Sequence, residues 1–592
     1  MARDRSTVRR FMLCIPLLCL PAILAAGCGQ NPDEAFDRLV DDFIQGYFAA
    51  NPTTATSIGA HEFDAHLNNM SQEAIHAEIQ RLHKFKTRIE AFPARKLDRD
   101  DRIDLSILSD KIDLDLLEME EIQGWKNDPL LYTSIVGNGI HLLLARDFAP
   151  LEERLESAIS RLGQIPELVD RARANLGIPA MIRTETAIRQ NQGNIRLIEQ
   201  DLMRAAEDAP AMKARLEEAA GVAAAALREF QVFLEEDLLP RSGGNFRLGP
   251  ELHRRKLTLT CQSNLTHEEI LKRAWEEFYS VRAEMYAIAQ NLYGEYFTGR
   301  LPRGSGTAVE QQVVGKVLSR IADDHPNENN ILPYIEQTLA DLETFIREKD
   351  LLDLDDSQEL TVTWMPEFSR GVAIAGLESP GPLEKHLSAF YYVMPIPEDW
   401  TVNQAESFFR EYNNYMTQIL TTHEAMPGHF VQIYHANRNP SLVRQIFGSG
   451  TFIEGWAVYT ERMMVDSGYM DHDPRLKLQQ LKFYLRTVIN AILDSEVHSG
   501  QIPKEAVLDL LVNGGYQEES EAEGKWVRAQ LTSAQLSTYF VGIQEVLDLR
   551  DSYREMKGDD FSLKEFHTAI LAHGSPAPKY MHEILFGESR PD

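Results

Sequence analysis

The chain has 592 residues, 43% of them hydrophobic and 25% charged, with a formal net charge of −30. That apolar content over such a length is ample for a large buried core, whereas the acidity argues against nucleic-acid binding and against electrostatic adhesion to anionic membranes. Cys14, Cys19 and Cys28 all fall in the first 28 residues, so Cys261 stands alone in the remainder and no internal disulfide is available to it.

Residues 1–27 read as an export signal. Arg3, Arg5, Arg9 and Arg10 form a basic start, Phe11 to Leu24 an apolar stretch interrupted by Pro16 and Pro21, and Leu24-Ala25-Ala26-Gly27-Cys28 is similar to a bacterial lipobox with Cys28 as the lipidated first mature residue. A membrane-spanning helix is the alternative, but the stretch is short and broken by proline. Gly29 after the cysteine, rather than Asp, points to the outer membrane if the cell is Gram-negative.

From residue 31 onward helix signals dominate. Asn31-Pro32-Asp33-Glu34 is a start signal, and Phe36, Leu39, Val40, Phe43 and Tyr47 recur at helical spacing. Ser71 opens a second helix that Pro93 closes, and similar periodicity runs through 102–122, 150–175, 184–208, 210–238 and 266–293. The alanine-rich run near Gly221 suits a close helix–helix contact. Strand-like material is confined to Leu257–Cys261, Leu360–Trp364, Gly371–Gly376 and Phe390–Met394. The last three precede the motif described next; they suit a small sheet, either a plain hairpin or an edge that accepts an extended peptide. Leu301–Thr307 has a Gly-x-Gly but no Lys-Ser/Thr, and reads as a connection rather than a phosphate loop. The expected fold is mainly α: one large two-lobed helical catalytic unit over 28–592, with a cleft, a small β-sheet before the metal helix, and lobes meeting near 240–260.

Residues 423–429 read His-Glu-Ala-Met-Pro-Gly-His, and Glu454 follows within Phe452-Ile453-Glu454-Gly455-Trp456. Two imidazoles and a carboxylate are the donor set of a catalytic zinc, and an acid beside the first histidine is the group that deprotonates a zinc-bound water. His423, His429 and Glu454 are therefore the expected ligands and Glu424 the general base. A spacing of six would swing His429 about 120° around and about 9 Å along an unbroken helix, too far for one metal. Pro427 removes an N–H and collides with the carbonyl of His423, and Gly428 tolerates unusual dihedrals, so the helix is expected to break at Met426-Pro427-Gly428 and re-enter with His429 on the metal side. The bland alternative is a solvated helix end with an unrelated glutamate. Downstream, Arg486, Asp494 and His498 share an apolar helical segment; Asp494 and His498 stand i, i+4, and either support the site or belong to a buried ion network.

His423-Glu-Ala-x-Pro-Gly-His429 followed by Glu454-Gly-Trp-Ala-x-Tyr-x-Glu461 resembles the bacterial family catalogued as domain of unknown function 885, whose members are often lipoproteins and which is grouped with gluzincin metallopeptidases. The resemblance extends to the Phe43–Pro52 stretch and to the Phe566-His567 and Gly574-Ser575-Pro576 segments. It implies a mostly helical fold and peptidase-like chemistry with no agreed substrate. It also implies Glu454 as the ligand over Glu461, which lies two turns on along nearly the same face and is left to support the site. Peptidases of this class use a Tyr or His to stabilise the oxyanion, and Tyr539 and His567 stand in family-like stretches.

Three functions remain open on these residues: a zinc peptidase acting on small peptides at the cell envelope, a peptide- or metal-binding lipoprotein, and a zinc hydrolase of another amide or ester bond. A pure binding site needs the ligands but not Glu424.

Overall fold

The computed structural model describes residues 32–304, 306–365, 375–384, 386–397 and 400–587. Cys28 and the export segment lie outside them, as do residues 371–374 of one expected strand. Helices make up 73% of the structure, and the only sheet among the described residues has three strands. No helix among the described residues is long and apolar enough to cross a membrane.

Local signals account for where helices begin. Ser71 accepts a hydrogen bond from the Ala74 N–H and caps Gln72–Glu90, and Thr266 with Glu269 completes a reciprocal capping pair at the head of His267–Tyr296. Thr401 and Gln404 do the same for Val402–Glu411. The alanine-rich helix Lys213–Val232 buries Ala220, Ala223 and Ala224 and packs on Leu151–Asn175, the close approach that small side chains permit.

Two hydrophobic cores are present among the described residues. One gathers residues from 130–238, with Leu67. The other joins residues 36–116 to residues 257–584, so the N-terminal helices belong with the C-terminal half and the 130–238 lobe stands between them in sequence.

One expectation is overturned. Leu257–Cys261 is not a strand but the end of the helix Pro250–Cys261, which buries His253, Leu257 and Cys261 four residues apart. The Leu-Thr alternation satisfied a two-residue period over a stretch too short to exclude the helical one. Thr258 fits the helix because its hydroxyl donates to the Arg254 carbonyl one turn back.

The sheet runs in the order β1-β3-β2, with β1 Leu360–Trp364 parallel to β3 Ala389–Val393 and β2 Ala375–Glu378 antiparallel to β3. β3 buries Ala389, Tyr391 and Val393 on one face, as a period of two requires. The Tyr391 hydroxyl sits 3.4 Å from the Thr421 hydroxyl, which seats the sheet on the helix Asn414–Glu424. Among the described residues β1 and β2 are the edge strands.

Candidate metal centre

Asn413 caps the helix Asn414–Glu424 by accepting from the N–H groups of Tyr415 and Met416. The helix ends at Glu424, the Met426–Pro427 bond is cis, and the next helix, His429–Ala436, opens with the second histidine. The loop folds tightly back on the helix it leaves: the Gly428 N–H donates to the Thr422 carbonyl at 3.0 Å. A Cβ on residue 428 would stand 1.9 Å from the His423 carbonyl oxygen, so only glycine closes this turn. Trp456, fully buried, donates its indole N–H to the Pro427 carbonyl at 2.9 Å and holds the loop from the other side.

The break brings the two rings together at 4.7 Å between centroids and 86° between planes. Glu454, on the helix Gly450–Asp466, directs Oε2 at both: 3.7 Å to His423 Nε2 and 3.4 Å to His429 Nε2. The three ligand-type atoms lie within 4.8 Å of one another, and among the described residues no other trio of His, Cys, Asp or Glu does so. Glu454 Oε2 is buried with no hydrogen-bond partner. A desolvated carboxylate oxygen facing two imidazole nitrogens, with no donor of its own, is a set of atoms that suits a cation. Burial works to raise the Glu454 pKa, but the two imidazoles outweigh it and hold the carboxyl below its usual range.

Glu461 completes the far side of His423. It is fully buried, and its Oε1 accepts from His423 Nδ1 at 2.7 Å. Burial pushes its pKa up to about 7 against the pull of His423. His423 is opposed by burial, but Glu454 and Glu461 raise its pKa well above the ordinary value. Glu424, beside His423 and partly exposed, accepts from the Leu377 N–H of β2 at 3.2 Å, so the sheet edge and the prospective base are in contact.

Tyr539 lies on the helix Gln535–Lys557, which presses against the Glu454 helix so closely that a Cβ on Gly455 would stand 2.4 Å from the Gly542 carbonyl carbon. Burial first, and then the charge of Glu454, raise the Tyr539 pKa, so the hydroxyl keeps its proton at neutral pH beside the acidic cluster. Arg528 donates to the Tyr539 oxygen at 3.2 Å. Sequence reading missed Arg528, because the contact crosses between helices at a spacing no motif records.

Other expected site residues are placed elsewhere. His567 is not available as an oxyanion donor: it is fully buried, its Nδ1 meets the Leu351 carbonyl and its Nε2 the Tyr459 hydroxyl, both at 2.8 Å, and its ring abuts Trp456. Burial lowers its pKa to about 4, so it is neutral and structural. Nor does Asp494 bond along the helix to His498. Asp494 accepts from the Ala534 N–H and from the N–H and hydroxyl of Ser537, capping the Tyr539 helix, and lies 3.3 Å from His253. His498 turns to the carbonyls of Ala529 and Thr532 and stacks on His253, which identifies a buried strut rather than a reacting group. Arg486 pairs with Glu521 and lies over the Phe483 ring, which in turn meets His423 edge-on with centroids 5.9 Å apart.

A sequence profile described as bacterial protein of unknown function (DUF885) matches residues 52–585. No functionally curated protein matches the chain. Among solved structures, a presumed lipoprotein of unknown function from Shewanella oneidensis is 30% identical and superposes with a TM-score of 0.80, covering 93% of this chain and 99% of that one. A presumed lipoprotein from Colwellia psychrerythraea, 16% identical, has a TM-score of 0.76 over 93% and 98% and shares the fold. A carboxypeptidase from Pyrococcus furiosus, at 13% identity over 94% and 96%, has a TM-score of only 0.35, below the level of a common fold.

Proposed function

The chain belongs to the bacterial family of unknown function DUF885, and on that premise we propose that it is a zinc-dependent hydrolase, a peptidase acting on small peptides and anchored at the cell envelope through lipid on Cys28. The observation that carries this reading is the convergence of His423 Nε2, His429 Nε2 and Glu454 Oε2 within 4.8 Å, with Glu424 next in the chain to the first of them. A set built only for metal capture has no use for that fourth residue.

The donor set, two imidazoles and one carboxylate, is the one that holds catalytic zinc and leaves a coordination position open. Zinc supplies Lewis acidity to water and to the substrate carbonyl. Glu461 takes the Nδ1–H of His423, which leaves the Nε2 lone pair free for the metal and fixes the ring. Glu424 accepts the proton from the attacking water at a carboxylate oxygen and returns it to the leaving amine. Tyr539 remains protonated and can donate to the oxyanion, with Arg528 orienting its hydroxyl. The outer edge of β2, where the Leu377 N–H meets Glu424, offers an extended peptide main-chain partners beside the base. The envelope location rests on the lipobox-like segment ending at Cys28 and on the presumed lipoproteins among the related structures.

The deciding comparison is wild type against Glu424→Gln, both loaded with zinc and offered a diverse peptide library. Glu424→Gln should keep its zinc and lose hydrolysis by ~10²–10⁴-fold. Wild-type protein that holds zinc and binds peptides but cleaves none would instead favour a binding lipoprotein.

A further inference from the structure

Beside the metal centre lies a cluster of basic side chains of which the hydrolytic chemistry uses only Arg528, through Tyr539. The helix Glu519–Leu531 carries Glu521, Lys525 and Arg528, spaced four and three apart and so on one face. Arg486, from the helix Pro474–His498, ion-pairs with Glu521. Four basic side chains, Lys482, Arg486, Lys525 and Arg528, therefore share two carboxylates, Glu521 and Glu411, the latter held by Lys482 at 2.8 Å. Lys525 is 4% exposed and, among the described residues, makes no hydrogen bond or ion pair. In a protein with a net charge of −30, a buried positive excess has to be explained by what it faces.

Two contacts tie the cluster to the metal centre. Arg528 donates to the Tyr539 hydroxyl, and Arg486 lies over Phe483, whose edge meets His423. Phe483, Arg486, Arg528, Tyr539, Glu424 and Glu454 are each only partly buried, so both guanidinium-bearing side chains and the candidate metal centre keep some access to solvent. We propose that Arg528, Lys525 and Arg486 bind the free C-terminal carboxylate of the peptide, making this a carboxylate-anchored, end-selective site. The proposal rests on the peptidase reading and adds to it the class of substrate.

The energetics favour an arriving carboxylate over any neutral group. Burial, with Arg486 and Arg528 alongside, depresses the Lys525 pKa well below its ordinary value, and Glu521 offsets this only in part. An arriving carboxylate would meet the Arg528 guanidinium through charge-assisted hydrogen bonds, the stronger kind in a water-poor site, and would favour the protonated form of the Lys525 amine beside it. The distance from the cluster to the metal would then set how many residues are removed from the end.

The test reads binding, so that it survives a failure of the hydrolytic reading. Zinc-loaded Glu424→Gln protein is titrated calorimetrically with one N-acetylated, uncharged pentapeptide in two forms, C-terminal acid and C-terminal amide. The acid should bind ~10-fold tighter or better, the worth of a charge-assisted contact. Adding Arg528→Gln or Lys525→Met should bring the acid-to-amide ratio to within about twofold of unity, whereas Arg528→Lys should retain most of it. Loss of Tyr539 support alone would weaken both forms together and leave the ratio standing, which overturns the proposal. So do equal affinities in the parent protein, a ratio that survives both substitutions, or binding of an amidated peptide with an internal Glu as tightly as the free acid. Wild-type protein that cleaves acid and amide equally would sink this proposal and leave the peptidase intact; selective binding without cleavage would do the reverse.

Discussion

His423 Nδ1 lies 2.7 Å from Glu461 Oε1, and Glu461 is closed to solvent. The contact decides which histidine nitrogen is free. With Nδ1–H committed to Glu461, Nε2 is left facing Glu454 at 3.7 Å. On the proposed reading Glu461 positions His423, two turns along the helix from Glu454, and the pair gives a direct way to separate the two carboxylates.

Purified mature protein should bind one equivalent of zinc, lost in His423→Ala and in His429→Ala. Glu454→Gln should lower affinity by orders of magnitude, while Glu461→Gln should lower it ~10–100-fold, the range for a group that orients a ligand. Competition with a chromogenic chelator measures both. The opposite ranking would transfer the ligand role to Glu461.

Tyr539→Phe and His567→Gln should separate chemistry from support. Removing the Tyr539 hydroxyl should cut kcat by ~10²–10³-fold with zinc content and melting temperature unchanged. His567→Gln should instead destabilise the fold by about 1–3 kcal/mol, because it strands the Leu351 carbonyl and the Tyr459 hydroxyl in the interior. Kinetics and thermal melts on the same preparations read both outcomes; a large kcat loss in His567→Gln at unchanged stability would contradict the placement.

Gly455→Ala should be far worse than its one added methyl suggests. The new Cβ would stand 2.4–2.5 Å from the Gly542 backbone, with no flexible side chain to yield. The two helices must part, at about 1–3 kcal/mol or more, and Glu454 and Tyr539 separate with them. Lowered thermal stability together with weakened zinc binding is expected. Gly221→Ala, where nothing lies within 4 Å of the added atom, serves as the neutral control.

His61 should stabilise the fold in a pH-dependent way. Burial opposes its charge, but hydrogen bonds to Asp64 and Glu384, at 2.9 and 3.1 Å, outweigh it and raise the pKa from 6.5 to about 9. A raised folded-state pKa means that the contribution is complete below about 6.5 and disappears as pH rises through about 9. With 30% of the side chain exposed and solvent screening discounted, the worth is about 1–2 kcal/mol. The denaturant midpoints of wild type and His61→Gln should differ most near pH 6 and converge above pH 9.5; a gap that widens with pH would refute the assignment.

Much of the site was legible in the chain itself. The helix periodicity, the caps at Ser71 and Thr266, the break after Glu424 and the return of His429 all follow from backbone constraints that act within a few residues, and proline and glycine state those constraints openly. Both candidate carboxylates, Glu454 and Glu461, were visible on one helix face. The preference for Glu454 as ligand came from the family resemblance and not from spacing, since two side chains on the same face differ only in what the opposing helix puts in front of them. The same limit left the role of Asp494 open between site support and a buried network, because its partners come from Ala534 and Ser537 and not from His498 one turn on, and it hid the partners of His567, whose two nitrogens are taken by Leu351 and Tyr459. It also hid Arg528 and Lys525. Sequence spacing determines which residues share a surface, because helix geometry is local; which surfaces meet is decided by packing across hundreds of residues, and that alone set the partners of each charge.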